Sequence, residues 1–106
     1  MGLFGFGGSA DINQGVEQFR ATPGAVLVDV RTPDEFAGGH IPGAVNVPLQ
    51  QIGAAGAAVP QKTAPLFVYC LSGARSAQAT AALKRMGYDD VRNIGGIGRW
   101  HGEVER

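Results

Sequence analysis

Residues 66–76 read LFVYCLSGARS, and the fold prediction starts from the order of apolar and polar residues in this segment. Leu66-Phe67-Val68-Tyr69 is wholly apolar, which is typical of a strand covered on both faces in a parallel sheet. A short loop follows Cys70, and an apolar stripe at helical spacing then predicts a helix over Ser76 to Met86, which Gly87 ends. The stretch therefore predicts a strand, a loop and a helix, with the loop at the carboxyl end of the strand.

The rest of the chain continues this alternation. Further strands are predicted over residues 25–30, 44–47 and 91–94. Helical segments are predicted after a cap at Ser9 or Asp11, after Thr32-Pro33, weakly over Leu49 to Val59, and as a terminal turn around Trp100. Strands that alternate with helices imply an α/β fold with a central, mostly parallel sheet, here of about four to five strands, flanked by helices.

One domain is predicted from the length of 106 residues and the apolar content of 44%. Residues 1–10 are mostly apolar and rich in glycine, and they lack the basic residues and cleavage site of a signal peptide. We expect these residues to form a flexible N-terminal tail. The folded domain is accordingly predicted over residues 11–106.

The charge balance argues against polyanionic partners. Nine Lys and Arg residues offset nine Asp and Glu residues, so no strong field attracts nucleic acid or an anionic membrane. No segment approaches the length of a membrane span. We therefore expect no nucleic-acid partner and no membrane span.

Cys70 is the only cysteine, so an internal disulfide is impossible. Only His40 and His101 could support it in a metal site, and no third ligand lies at a helpful spacing. We therefore expect neither a metal nor another cofactor. The cysteine content fits the cytoplasm best.

The loop after Cys70 has the composition of an anion-binding loop. Ligands bind at the carboxyl edge of an open α/β sheet, where this loop lies. Gly73 permits a tight turn of the backbone, so that N–H groups and the positive end of the following helix can face one point. A thiol at that point, close to Arg75, would have a lowered pKa and act as a nucleophile.

A buried structural cysteine is the alternative interpretation of Cys70. Unpaired cysteine is among the most buried residue types, and this one follows an apolar strand. The combination with Gly73, Arg75 and a helix start favours chemistry over core packing.

Five motifs occur along the chain in a fixed order. They are Leu27-Val28-Asp29-Val30-Arg31, Glu35-Phe36, His40-Ile41-Pro42-Gly43-Ala44-Val45-Asn46-Val47-Pro48, Cys70-Leu71-Ser72-Gly73-Ala74-Arg75-Ser76, and Gly95-Gly96 followed by Trp100. In this order and spacing the chain resembles the rhodanese-like domain family from about Asp11 to the C-terminus. The motifs are specific as a set, although each alone would be weak.

The resemblance implies a small α/β fold with a central parallel sheet. It also implies a sulfurtransferase in which Cys70 takes a sulfane sulfur from a donor and holds it as a persulfide. The residues implied to bind the persulfide form one loop: Leu71, Ser72, Gly73, Ala74, Arg75 and Ser76. Arg75 would help to hold the charge of the donor or persulfide.

Three charged residues outside the loop are given supporting roles. Asp29 and Arg31 would brace the neighbouring loop. Glu35 is predicted to pair with Arg31, so this pair is interpreted as structural rather than catalytic.

The resemblance leaves several substrates open. The donor would be a small molecule such as thiosulfate, and the acceptor a small thiol, cyanide or a protein. Thiosulfate-preferring members of the family often carry a basic residue where this chain has Leu71, which indicates that thiosulfate is a poor or non-physiological donor here.

Two rival functions stay open. A related branch of phosphatases and arsenate reductases has one more residue between the cysteine and the arginine, whereas four residues separate Cys70 from Arg75 here. The shorter loop favours sulfur over a tetrahedral oxyanion. The other rival is a catalytically idle rhodanese module that binds a partner, which the presence of both Cys70 and Arg75 disfavours.

Overall fold

The computed structural model describes residues 10–106. The tail predicted over residues 1–10 therefore lies outside the described residues, apart from Ala10, which is exposed. Within the described range, no helix combines the length and the hydrophobicity that a bilayer crossing requires.

A four-stranded parallel sheet forms the centre of the domain. Its strands are β1 (Val26–Asp29), β2 (Val45–Asn46), β3 (Leu66–Cys70) and β4 (Val91–Gly96). They lie in the order β2-β1-β3-β4, and every neighbouring pair is parallel. All five residues of β3 are buried, as expected for an apolar strand at the centre of a sheet. The predicted α/β fold is confirmed.

Helices connect the strands and cover both faces of the sheet. The α-helices are α1 (Ile12–Ala21), α2 (Pro33–Gly38), α3 (Ala55–Ala58) and α4 (Ala74–Arg85), and 3₁₀ turns span Leu49–Ala54 and Ile97–Arg99. Asp11 caps α1 by accepting a hydrogen bond from the Asn13 amide at 3.0 Å. The cap predicted at Thr32 is also present, with Pro33 at the start of α2.

Two helix predictions were wrong in detail. The helix expected from Ser76 begins at Ala74, because Gly73 adopts a left-handed conformation with φ of 106° and turns the chain straight into the helix. The weak helix expected over Leu49 to Val59 is mostly a 3₁₀ segment, and only its last turn is α-helical. Its glycines disfavour a regular helix.

The sheet divides the core into two clusters because side chains alternate along each strand. On one face Val28, Val68 and Cys70 pack with Ala79 and Leu83 of α4. The opposite cluster contains Ile12 and Val16 of α1 together with Leu27, Phe67 and Tyr69 of the strands. Cys70 is thus placed under the start of α4.

The packing of α1 on β4 gives a test of this arrangement. A Cβ atom added to Gly15 would lie 2.5 Å from Ile94 Cβ. Gly15→Ala should therefore lower the free energy of unfolding by about 1–3 kcal/mol through overpacking, although alanine is the better helix former. Urea unfolding followed by circular dichroism measures the change.

Gly56→Ala is the matched control, since Gly56 also lies in a helix but has no neighbouring atom within 4 Å of an added Cβ. This variant should be unchanged or more stable by up to about 1 kcal/mol. Equal stability of the two variants would contradict the close packing of α1 on β4.

Candidate active site

The sulfur of Cys70 lies inside the turn that joins β3 to α4. Its Sγ accepts hydrogen bonds from the Gly73 amide at 3.0 Å and from the Ser76 amide at 3.4 Å. Gly73 makes this possible because its positive φ folds the loop back over the end of the strand. The loop therefore presents backbone donors to the sulfur from the start of a twelve-residue helix.

These donors change the acidity of the thiol. Burial by itself raises the pKa of Cys70. Hydrogen bonds from the Ser76 hydroxyl and from the amides of Ser76, Gly73 and Ser72 act in the opposite direction, and their sum leaves the pKa below its ordinary value. The site thus stabilises the thiolate despite complete burial of the residue.

The Ser76 hydroxyl lies within hydrogen-bond distance of two acceptors. Its Oγ lies 2.7 Å from Asn93 Oδ1 and 3.5 Å from Cys70 Sγ. A hydroxyl carries one proton, and the shorter contact has the geometry of a strong hydrogen bond. The Ser76 hydroxyl therefore donates more strongly to Asn93 than to Cys70 Sγ, and the backbone amides are the more constant donors to the sulfur.

Asn93 joins the loop to β4, and sequence analysis predicts it only as a strand residue, with no role in the site. Its Nδ2 donates to the Gly73 carbonyl at 3.2 Å, and its Oδ1 also accepts from the Gly95 amide at 3.0 Å. The register between β3 and β4 shifts directly after Asn93: Val68 pairs with Asn93, but Tyr69 pairs with Gly95. The available signal was a polar amide side chain in β4, two residues before the Gly95-Gly96 pair.

Gly96 allows β4 to approach the loop. A side chain at this position would collide with the Leu71 carbonyl and the Ser72 backbone. The Gly95-Gly96 pair therefore lets the outer side of the loop rest directly on β4.

Glu35 binds Arg75 and not Arg31, so the predicted partner was wrong. Two hydrogen bonds of 2.7 and 3.1 Å join the Arg75 guanidinium to the Glu35 carboxylate. The hydrogen bond from Arg75 is the main reason why the pKa of Glu35 falls to about 2. The orientation of the Glu35 side chain is set by Thr32, because the capping box holds Glu35 at the start of α2.

Arg31 instead folds back on Asp29 at the end of β1. Its Nη2 lies 2.7 Å from Asp29 Oδ2 and 2.8 Å from the Gly39 carbonyl oxygen. Both side chains of the ion pair are buried. Through the Gly39 carbonyl, Arg31 links the end of β1 to the segment after α2.

Two cavities flank the loop. The larger, of about 730 Å³, lies between Leu71–Gly73 and the segment from Asn93 to Arg99. The smaller, of about 70 Å³, lies between Arg75 and the turn at Pro48–Gln50. Cys70 lines neither cavity and is 0% exposed. The sulfur is therefore closed to solvent in this arrangement of the loop.

Within residues 10–106 no group of three or more His, Cys, Asp and Glu side chains could hold a metal ion. His40 lies stacked on the ring of Phe36, with 3.7 Å between ring centroids.

Comparison with known proteins places this geometry in a family. The profile of the rhodanese-like domain matches residues 13–103. Thiosulfate sulfurtransferase PspE of Escherichia coli is 42% identical over 71 residues, which cover 66% of this chain and 68% of that protein. A sulfurtransferase of Allochromatium vinosum is 45% identical over 80 residues, which cover 74% of each chain.

A solved structure agrees with the sequence comparisons. The structure titled as a rhodanese with anions, from E. coli, superposes with a TM-score of 0.71 at 35% identity, covering 77% of this chain and 98% of that one. The match includes the parallel sheet and its flanking helices. The chain therefore belongs to the rhodanese-like domain family.

Proposed function

We propose that the protein is a sulfurtransferase that carries sulfur as a persulfide on Cys70. The observation that carries the proposal is the convergence of the Gly73 and Ser76 amides on Sγ. Such donors stabilise a negatively charged sulfur, which the reaction needs both before and after sulfur uptake. The named relatives with about 40% identity support the same reaction class.

In the first half-reaction the Cys70 thiolate attacks the outer sulfur of a sulfane donor. With thiosulfate, the sulfur–sulfur bond of the donor breaks and sulfite leaves with the bonding electron pair. The product is the negatively charged persulfide of Cys70. The loop shifts to make room for the outer sulfur of the persulfide, and its amides then donate hydrogen bonds to that sulfur.

In the second half-reaction an acceptor thiolate or cyanide attacks the outer sulfur. The bond between the two sulfur atoms of the persulfide breaks, and its electron pair returns to Sγ. Cys70 is regenerated as a thiolate and the acceptor leaves as a persulfide or as thiocyanate. The chain has no second cysteine to resolve the persulfide.

Arg75 supports the negative sulfur from a fixed position. Its hydrogen bonds to Glu35 hold the guanidinium at the side of the loop. The hydrogen bond to Glu35 is also the main reason why the pKa of Arg75 is raised, with a smaller contribution from the charge of Cys70. Asp29 and Arg31 position the neighbouring backbone and take no part in the chemistry.

The persulfide can be tested directly by mass spectrometry. Reduced protein incubated with thiosulfate or another sulfane donor should gain the mass of one sulfur atom. Cyanide or a small thiol should remove the added mass, and Cys70→Ser should never acquire it. Serine is similar in size to cysteine, so this variant should fold and serve as a matched control.

Three outcomes would contradict the proposal. Unchanged sulfur transfer by Cys70→Ser would show that the sulfur is carried elsewhere. Turnover of an aryl phosphate or arsenate at a rate comparable to sulfur transfer would favour the oxyanion branch, in spite of the short loop. A wild-type protein that accepts sulfur from no donor would be an idle binding module.

Asn93 gives a second prediction. Asn93→Ala removes the hydrogen bonds to Gly73 and Ser76, so the amides should spend less time aligned on the sulfur. The rate constant for sulfur uptake should fall about tenfold, the equivalent of roughly one hydrogen bond. Intact-mass time courses with one donor measure it.

Ser76→Ala is the comparison variant, because it removes the hydroxyl and leaves the amides in place. Its uptake rate should fall less than that of Asn93→Ala. Circular dichroism at the assay temperature checks that both variants are folded. If Asn93→Ala takes up sulfur at the wild-type rate, Asn93 does not position the loop.

A further inference from the structure

The charge of Arg75 is already compensated in this site. Glu35 accepts both of its short hydrogen bonds. Leu71, at the opposite side of the loop, is 50% exposed and carries no charge. The loop itself therefore presents amides to a sulfur atom but no uncompensated cation to the rest of a substrate.

Arg99 is the cation that the larger cavity offers. It lines the cavity together with Leu71 and is exposed. Across residues 10–106 its guanidinium forms no salt bridge, in contrast to Arg31, Arg75 and Arg92. None of the described residues that line the cavity is acidic, so Arg99 gives its wall a net positive charge.

The size of the cavity indicates the kind of molecule that fits. A volume of about 730 Å³ lies in the range of cavities that bind organic small molecules. Its wall combines the apolar Leu71 with the polar Ser72 and Asn93, and three of its residues belong to the loop of Cys70. A ligand here would lie beside the sulfur-carrying loop.

We propose that this cavity binds the anionic part of a carboxylate-bearing, low-molecular-weight thiol, with Arg99 as its cationic contact. The inference rests on the proposed sulfur transfer and names the class of acceptor. The thiol would reach over Leu71, and its thiolate would attack the outer sulfur of the Cys70 persulfide. The sulfur–sulfur bond then breaks, Cys70 leaves as the thiolate and the acceptor carries the persulfide away.

The test compares two acceptors on persulfide-loaded protein. Glutathione carries carboxylates, and 2-mercaptoethanol is a neutral thiol of the same reactivity class. Arg99→Met should lower kcat/KM for glutathione about tenfold, mainly through KM, since it removes one charge-assisted contact. The same variant should leave 2-mercaptoethanol unaffected, and Arg99→Lys should restore part of the difference.

Arg85→Met is the matched control, because Arg85 is an exposed residue at the far end of α4. It should behave as the wild type with both acceptors. Sulfur loading from thiosulfate is measured separately for every variant. Loading should be unchanged in Arg99→Met, because the proposal assigns the cavity to the acceptor.

Three results would overturn the inference. Equal kcat/KM of Arg99→Met and wild type for glutathione would show that Arg99 contacts no acceptor. An equal loss with 2-mercaptoethanol would show that the substitution disturbs the loop and not an anion site. A loss confined to loading would assign the cavity to the donor. Failure of the wild type to load any sulfur would instead refute the proposed function.

Discussion

The structure depends on one constraint: backbone amides must face a sulfur atom that has been withdrawn from water. Burial alone would disfavour the charged form of Cys70, so the loop has to supply hydrogen bonds that outweigh it. Gly73 provides the turn, and Asn93 holds that turn against β4. Gly96 then permits the close approach of the two segments.

Two ion pairs lie near this loop. Arg31 binds Asp29 in the protein interior, and Arg75 binds Glu35 at the side of the loop. The Arg31–Asp29 pair is buried, so its stability depends on the geometry of its hydrogen bonds. The Arg75–Glu35 pair is about one-third exposed, so salt screens its attraction more strongly. Stabilisation of the sulfur therefore comes mainly from fixed dipoles, which leaves recognition of a substrate's charge to residues outside the pairs.

Sequence patterns predicted the strands better than the side-chain partners. The apolar run over 66–69 identified a central strand because burial on both faces leaves no polar position. The pairing of Glu35 could not be predicted in this way, since it depends on the capping box at Thr32 and on a partner that lies 40 residues away in the chain. Asn93 was missed because its partners are 17 and 20 residues away in the chain.

The pKa of Cys70 distinguishes an anion-binding loop from a packed core cysteine. Titration of the thiolate by its ultraviolet absorbance, with Cys70→Ser as the blank, gives this value without any assumption about the substrate. The loop predicts a midpoint below the roughly 8.5 of a free thiol, so the fraction of thiolate at neutral pH should exceed that of free cysteine. A midpoint at or above that of a free thiol would mean that the amides do not compensate burial, and that Cys70 is a structural core residue.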